Sequence, residues 1–169
     1  MQKLSLSEFE AKAKGLRMVI LDVDGVLTDG RIVITSKGEE AKCFNVKDGH
    51  GIVLALRAGL KIAWVSGRYS EVTNMRAREL GVAMVVQGEP SKLVVVKRLA
   101  GELSIPLDQA AFVGDDVVDL DAMGAVGLPI AVADALPEVI DAAAWVTAAK
   151  GGHGAVREIL DMIKKAKGA

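Results

Sequence analysis

The chain is poor in the residues that staple or interrupt a fold. Of its 169 residues one is cysteine, two are histidine, four are proline and 4% are aromatic. A single cysteine, Cys43, excludes an internal disulfide framework and fits a reducing compartment, so a cytoplasmic location is expected. His50 and His153, with that one thiol, leave little material for a zinc site. Any metal is therefore expected to be a hard ion held by oxygen. No apolar run approaches the roughly 18 residues that span a bilayer, and the start has no signal-peptide pattern, so no membrane role is expected. A net charge of -1, from 21 basic and 22 acidic residues, argues against a broad nucleic-acid-binding surface but leaves room for a small cationic pocket.

What is present is a chain that can bury a core. An apolar fraction of 51% with few prolines argues against disorder, and 169 residues suit one domain, expected over 1–169. Its centre is the stretch Met18–Asp29. Met18, Val19, Ile20 and Leu21 form a short apolar run of the kind found in a strand covered on both faces, and Asp22, Asp24 and Gly25 follow at its carboxyl end. Carboxylates at the tip of a core strand are costly unless a cation or hydrogen-bond donors answer them, which points to a metal-dependent site. On this stretch alone an acidic turn closing a strand is the alternative, since Asp and Gly are ordinary turn formers.

Around that stretch the pattern alternates. Ser5 and Glu8 have capping-box spacing and predict a helix over 6–14, with Leu6, Phe9 and Ala13 inward and Gly15 as its stop. Extended runs over 31–34 and 40–45, with Ser36-Lys37-Gly38 between them, predict a β-hairpin, the insertion spanning about 30–46. Asp48-Gly49-His50-Gly51 reads as a loop leading into a helix that ends at Gly59. Strands are then expected over 61–65, 82–86, 110–113, 127–132 and 144–146, and helices over 70–80, 91–100, 117–123, 137–141 and 155–166. Such alternation predicts an α/β fold, a parallel sheet with helices on both faces in three Rossmann-like layers, an inserted β-hairpin and no large cap domain.

In an open parallel sheet, ligands collect outside the carboxyl ends of the strands. Four such ends carry chemistry: Asp22 and Asp24; Ser66 and Arg68; Lys92 in a first helical turn; and Asp115, Asp116 and Asp119. Each is weak alone, because a lone helical Lys is usually solvated and Gly-Asp-Asp commonly opens a helix. Together they fit a metal-bound phosphate. Walker and dinucleotide glycine loops are absent, and so is a Gly-x-Ser-x-Gly elbow. An Asp-x-Asp pair can instead perform covalent phosphoryl transfer: the first carboxylate attacks from the strand end, and the second serves as acid and then base. A magnesium ion would join the first carboxylate to one from the Gly-Asp-Asp loop and to a phosphate oxygen.

The stretch Asp22-Val23-Asp24-Gly25-Val26-Leu27-Thr28-Asp29-Gly30, with Ser66-Gly67-Arg68, Lys92 and Gly114-Asp115-Asp116-Val117-Val118-Asp119, resembles the four motifs of the haloacid-dehalogenase-like phosphatases, in their order. Phe44–Gly51 and Gly151–Glu158 resemble two further segments of a small, cap-less group in that family. The group hydrolyses 3-deoxy-D-manno-octulosonate 8-phosphate in lipopolysaccharide precursor synthesis, and a related group acts on nine-carbon sialic-type acid phosphates. The resemblance implies that Asp22 is nucleophile and metal ligand, and that Asp24 is acid/base and a ligand through its carbonyl. It makes Asp115 the third ligand of Mg2+, with Asp116 and Asp119 in support. It implies that Ser66 and Lys92 bind the phosphoryl group, and that Thr28, Lys47, His50, Arg68 and Arg157 are candidates for contact with the small phosphorylated sugar acid. It also implies a homotetramer in which the hairpin covers a neighbour's site and the tail, about 151–169, approaches one. Lys47, His50 and His153 stand where the group commonly has Arg, Tyr and Arg, and lysine keeps the charge without bidentate recognition of a carboxylate. A non-catalytic magnesium-binding scaffold is the alternative outside enzymology. Cys43, with no base near it in sequence, reads as a small hydrophobe, and Arg157 has the alternative of pairing with a surface acid.

The nucleophile assignment yields a first prediction. Asp22→Asn folds but loses magnesium-dependent phosphate release almost completely, as a phosphate assay of purified protein would record. Turnover near wild type would exclude attack by Asp22.

Overall fold

In the computed structural model, residues 3–168 are described; residues 1, 2 and 169 of the expected 1–169 span lie outside the described residues. In chain order the strands are β1 (Met18–Asp22), β2 (Val33–Ile34), β3 (Glu40–Ala41), β4 (Lys61–Ser66), β5 (Met84–Gln87), β6 (Ala110–Gly114), β7 (Leu128–Ala131) and β8 (Trp145–Val146). The helices are α1 (Leu6–Gly15), α2 (Val46–Arg57), α3 (Glu71–Leu80), α4 (Lys92–Glu102), α5 (Leu120–Ala125), α6 (Pro137–Ala142) and α7 (Ala155–Lys167).

Six strands form one parallel sheet in the order β5-β4-β1-β6-β7-β8. Strand β1 is buried along its whole length, which explains why its sequence is a continuous apolar run rather than an alternating one. It pairs with β4 on one side and β6 on the other, Asp22 lying opposite Val65 and Leu21 opposite Val113. The chain thus turns first to one side of β1 and later to the other, the switch that opens a crevice at the carboxyl ends. Helices α1 and α2 both pack on α7, and α5 packs on α4 and α6. The core is aliphatic, with few rings. Phe9 meets Trp145 at 4.7 Å between centroids, and Phe44 stacks over Trp64 at 6.1 Å. Each Ile, Leu or Val wholly removed from water contributes about 1.5–3 kcal/mol, and that burial is what fixes the strand ends.

Several local expectations change. The Ser5–Glu8 capping box forms and Phe9 and Ala13 are buried, but Leu6 in the first turn faces solvent because the packed stripe begins one turn later. The hairpin is antiparallel as expected, yet only two residues long on each side, and Val33 and Ile34 are exposed. The strand expected from Val82 begins at Met84, and the helix expected over 117–123 is a 3-10 turn, Val117–Asp119, followed by α5.

The Asp48–Gly51 segment is not a loop. Asn45 caps α2 by accepting from the Lys47 N–H at 2.8 Å, so these residues occupy its first turns. Gly49 and Gly51 are there because α2 backs onto Arg76 and Arg157, where a Cβ would overlap a neighbouring side chain. Asp48 in turn serves another helix. The N-terminus of α7 has a glycine at its cap, Gly154, and no capping side chain of its own. The buried Asp48 carboxylate accepts from Gly154 N at 3.2 Å and from Arg157 N at 2.7 Å. It supplies the cap from across the interface.

Removing that carboxylate would leave two N–H groups unanswered. Asp48→Ala is expected to lower stability by about 1–3 kcal/mol, read from the urea midpoint. An unchanged midpoint would show that the α2–α7 packing holds the helix end without it.

Candidate active site

At the carboxyl edge of the sheet, the first and fourth acidic loops meet. Asp22, Asp115 and Asp119 each place a carboxylate oxygen within 4.8 Å of the others. Asp22 closes β1, and Asp115 follows directly on Gly114, the last residue of β6. Close approach requires small residues on both sides. Gly25 has φ +105°, and a Cβ on it would overlap the Asp115 carboxylate. A Cβ on Gly114 would strike the Asp119 side chain.

Asp119 is wholly buried and answered from several directions. Its Oδ2 accepts from Asp115 N at 3.0 Å and Asp116 N at 3.3 Å, which ties down the Gly-Asp-Asp loop. Asp116 caps the same turn through Val117 N at 2.6 Å. The Lys92 ammonium, 5% exposed, bridges Asp22 Oδ1 and Asp119 Oδ1, both at 2.6 Å. Ser91 caps α4 and so fixes the turn that carries Lys92. Burial alone pulls the ammonium's pKa down, but the two carboxylates outweigh this and hold it above its usual value.

Three acids against one ammonium leave negative charge in a dry place. Burial, and then the charge of Asp119, pushes Asp22 up to about 6. Burial, and then the charges of Asp22 and Asp119, pushes Asp115 up to about 8. Asp115 Oδ1 is buried and has no hydrogen-bond partner. An orphaned carboxylate oxygen beside a second carboxylate, in an all-oxygen donor set, fits a hard divalent cation held by Asp22 and Asp115.

The remaining expected residues sort by position. Ser66 ends β4 at the same edge, buried, its Oγ accepting from Arg68 N at 3.1 Å. Arg68 lies 3.8 Å from Asp24 Oδ2 and donates to Glu40 Oε1 at 3.1 Å. Thr28 is buried within its own loop, where its hydroxyl engages Val23 O, Gly25 N and Gly30 N at 3.3–3.4 Å. That is a loop-bracing position and not the pocket-lining one expected. Lys47 and His153 line a cavity of about 420 Å³ together with Asp29, Cys43 and Asn45, and none of the clustered aspartates lines it. Cys43, read from the sequence as a small hydrophobe, is exposed there. His50 is exposed on α2, off that cavity. Arg157 pairs with Asp161 one turn along α7, the surface pairing that its sequence position left open.

Other residues were not anticipated. Lys42 donates to Asp24 Oδ1, and Glu40 holds Arg68. A signal existed for both: along an extended run, residues two apart share a face. The glycine-rich loop before α7 rests on the loop after β1, with Gly152 N donating to Val26 O at 2.9 Å. Asn45 Nδ2 donates to Gly152 O at 3.2 Å, and a Cβ at Gly151 would collide with the Gly25 carbonyl.

Known proteins match this chain over most of its length. A family model described as haloacid dehalogenase-like hydrolase matches residues 60–159. The chain is 45% identical to the 3-deoxy-D-manno-octulosonate 8-phosphate phosphatase KdsC of Escherichia coli strain K12 over 158 residues, 94% of this chain and 84% of that protein. Among solved structures it is similar to the phosphatase of the same name from Moraxella catarrhalis, in complex with magnesium, phosphate and KDO. There the TM-score is 0.95 at 36% identity, over 97% of this chain and 94% of that one. The cobalt-bound deoxy-D-mannose-octulosonate 8-phosphate phosphatase of Haemophilus influenzae gives a TM-score of 0.90 at 40% identity, over 93% and 92%.

The raised acids set a pH dependence. A carboxyl group whose folded pKa lies above its unfolded value, about 3.9, keeps a proton that the unfolded chain releases. Its contribution to stability is full below that unfolded value and is lost as pH rises towards the folded value, about 8 for Asp115. Melting temperatures of the metal-free protein are therefore expected to fall between pH 5 and 8, with Asp115→Asn flattening the slope. Magnesium is expected to raise the melting temperature more at pH 8 than at pH 5, because protons compete with the cation at low pH. A pH-independent magnesium effect would overturn this account of the cluster.

Proposed function

The chain belongs to the haloacid dehalogenase-like hydrolases, and on that premise we propose that it is a magnesium-dependent phosphomonoesterase that hydrolyses 3-deoxy-D-manno-octulosonate 8-phosphate. The observation that carries this reading is the meeting of Asp22, Asp115 and Lys92 at the carboxyl edge of the sheet, in a chain 45% identical to a phosphatase of that specificity.

Magnesium suits the oxygen donors of Asp22 and Asp115 and the backbone carbonyl of Asp24; when bound it supplies charge that holds the two anions together and offsets charge on the phosphoryl group. Asp22, fixed by β1, attacks phosphorus in line and forms the aspartyl phosphate. Lys92 has three N–H donors, of which Asp22 and Asp119 take two, and the third is left for a phosphoryl oxygen. The Ser66 hydroxyl accepts from Arg68 N, so its own O–H is free to donate to another phosphoryl oxygen. Asp24 protonates the departing sugar oxygen and then takes a proton from the water that attacks the phosphoenzyme. Lys47, on the cavity beyond Asp29, is assigned to the sugar acid's carboxylate.

We read residues 1–169 as one such domain, acting in the cytoplasm as a homotetramer. Exposed Ile32, Val33 and Ile34 on and beside the hairpin support its use as a subunit contact. An exposed free thiol at Cys43 suits a reducing compartment.

A phosphate-release screen with magnesium tests the reading, set against octulosonate, nine-carbon sialic-type and simple hexose phosphates. Highest kcat/KM on the eight-carbon acid is expected; preference for a nine-carbon acid would reassign the substrate, and no release from any ester would defeat the enzyme reading. Lys47→Ala is expected to raise KM for the sugar-acid phosphate about tenfold, the scale of one lost charge-assisted hydrogen bond, and to raise it less for p-nitrophenyl phosphate. Equal effects would remove the carboxylate contact.

A further inference from the structure

Lys42 is out of place for a surface hairpin. It follows β3, whose own residues are exposed or half-buried, yet its side chain is only 2% exposed. Its ammonium donates to Asp24 Oδ1. The other oxygen of that carboxylate, Oδ2, is buried and has no hydrogen-bond partner; the Arg68 guanidinium stands off at 3.8 Å and is drawn away by Glu40 at 3.1 Å. Glu40 and Lys42 are two apart on one extended run and face the site together. A buried ammonium is costly unless paired. An apolar side chain would anchor the base of a hairpin at lower cost, so a need for anchorage alone does not explain a lysine here.

We infer that Lys42 is a positioning residue for Asp24: by holding Oδ1 it fixes the carboxyl plane and leaves Oδ2 as the oxygen that handles the proton. This rests on the phosphatase reading above and assigns within it which atom acts and what aims it. As the Asp22 oxygen bonds to phosphorus and the ester P–O bond breaks, the proton on Oδ2 passes to the departing alkoxide. As water then attacks phosphorus and the Asp22–phosphorus bond breaks, Oδ2 takes a proton from that water, and phosphate leaves. Oδ1 remains an acceptor whether or not Oδ2 carries a proton, so the Lys42 bond persists through both half-reactions. A carboxyl group held at one oxygen is already oriented when the ester arrives, and general acid catalysis depends on that orientation.

The test compares leaving groups, because a sugar alcohol needs protonation to depart and p-nitrophenolate does not. We expect Lys42→Met to lower kcat/KM on the sugar-acid phosphate by about tenfold or more beyond its effect on p-nitrophenyl phosphate, within the 10²–10⁴ range of general acid catalysis. Lys42→Arg, which keeps a donor, is expected to recover most of that difference. In an Asp24→Asn background, Lys42→Met is expected to add less than about threefold, since residues acting as a unit are not additive. Equal losses on both esters, or a full multiplicative loss on top of Asp24→Asn, would overturn the assignment. Should Lys42→Met not fold, judged by circular dichroism, Lys42→Leu, which also lacks a donor, carries the same comparison. If wild-type protein with magnesium released no phosphate from either ester, the phosphatase reading itself would fail; an active wild type with leaving-group-independent variants would remove Lys42 alone.

Discussion

The bond on which the site depends is that of the Lys92 ammonium to Asp22 and Asp119, made where water is nearly absent. Carboxylates packed within 4.8 Å of one another would repel strongly enough to disorder the loops that carry them. Lys92 answers two of them and still leaves the cluster short of positive charge. That shortfall is a property of the fold, because the acids enter from β1 and from the loop after β6 and the cation from the start of α4, all set by the parallel sheet. A site built this way is incomplete on its own and has a standing demand for a divalent ion and for little else.

Holding such a cluster requires backbones closer than side chains ordinarily allow. Gly25 admits the Asp115 carboxylate, Gly114 admits Asp119, and Gly151 lets the loop before α7 lie on the Gly25 carbonyl. Substitution at these positions does more than strain a turn, because it separates the acids. The aliphatic core below keeps this convergence from relaxing: β1 is buried on both faces, and its last residue has little freedom to retreat.

Much of the fold was legible because its strands are short apolar runs and its loops carry the polar residues. The order of elements and the edge at which Asp22, Ser66, Lys92 and Asp115 gather follow from local pattern. What could not be read depends on contacts between segments far apart in sequence. Gly49 and Gly51 look like loop glycines until Arg76 of α3 and Arg157 of α7 are packed against them, and Asp48 looks like a turn residue until the bare N-terminus of α7 is placed beside it. Thr28 reads as a pocket hydroxyl, but its loop folds back on it. Lys42 shares a face with Glu40 by its spacing, but that spacing does not distinguish a buried lysine from a solvated one. Only the return of the hairpin to Asp24, 18 residues earlier, does so.

That return explains why the insertion sits directly after the first acidic loop. A hairpin with two-residue strands is marginal in isolation, and this one has exposed apolar side chains. Its order must come from its ends, where Glu40 grips Arg68 and Lys42 grips Asp24, and from whatever covers Ile32 to Ile34. Closing a loop of this length costs little more than closing a shorter one, since the entropy grows only with the logarithm of length. Two ion pairs tie the base of the hairpin to the site: Lys42 holds Asp24 Oδ1, and Glu40 holds Arg68. In a chain with no large cap domain, the hairpin and Asp24 are thereby joined by the same few charges.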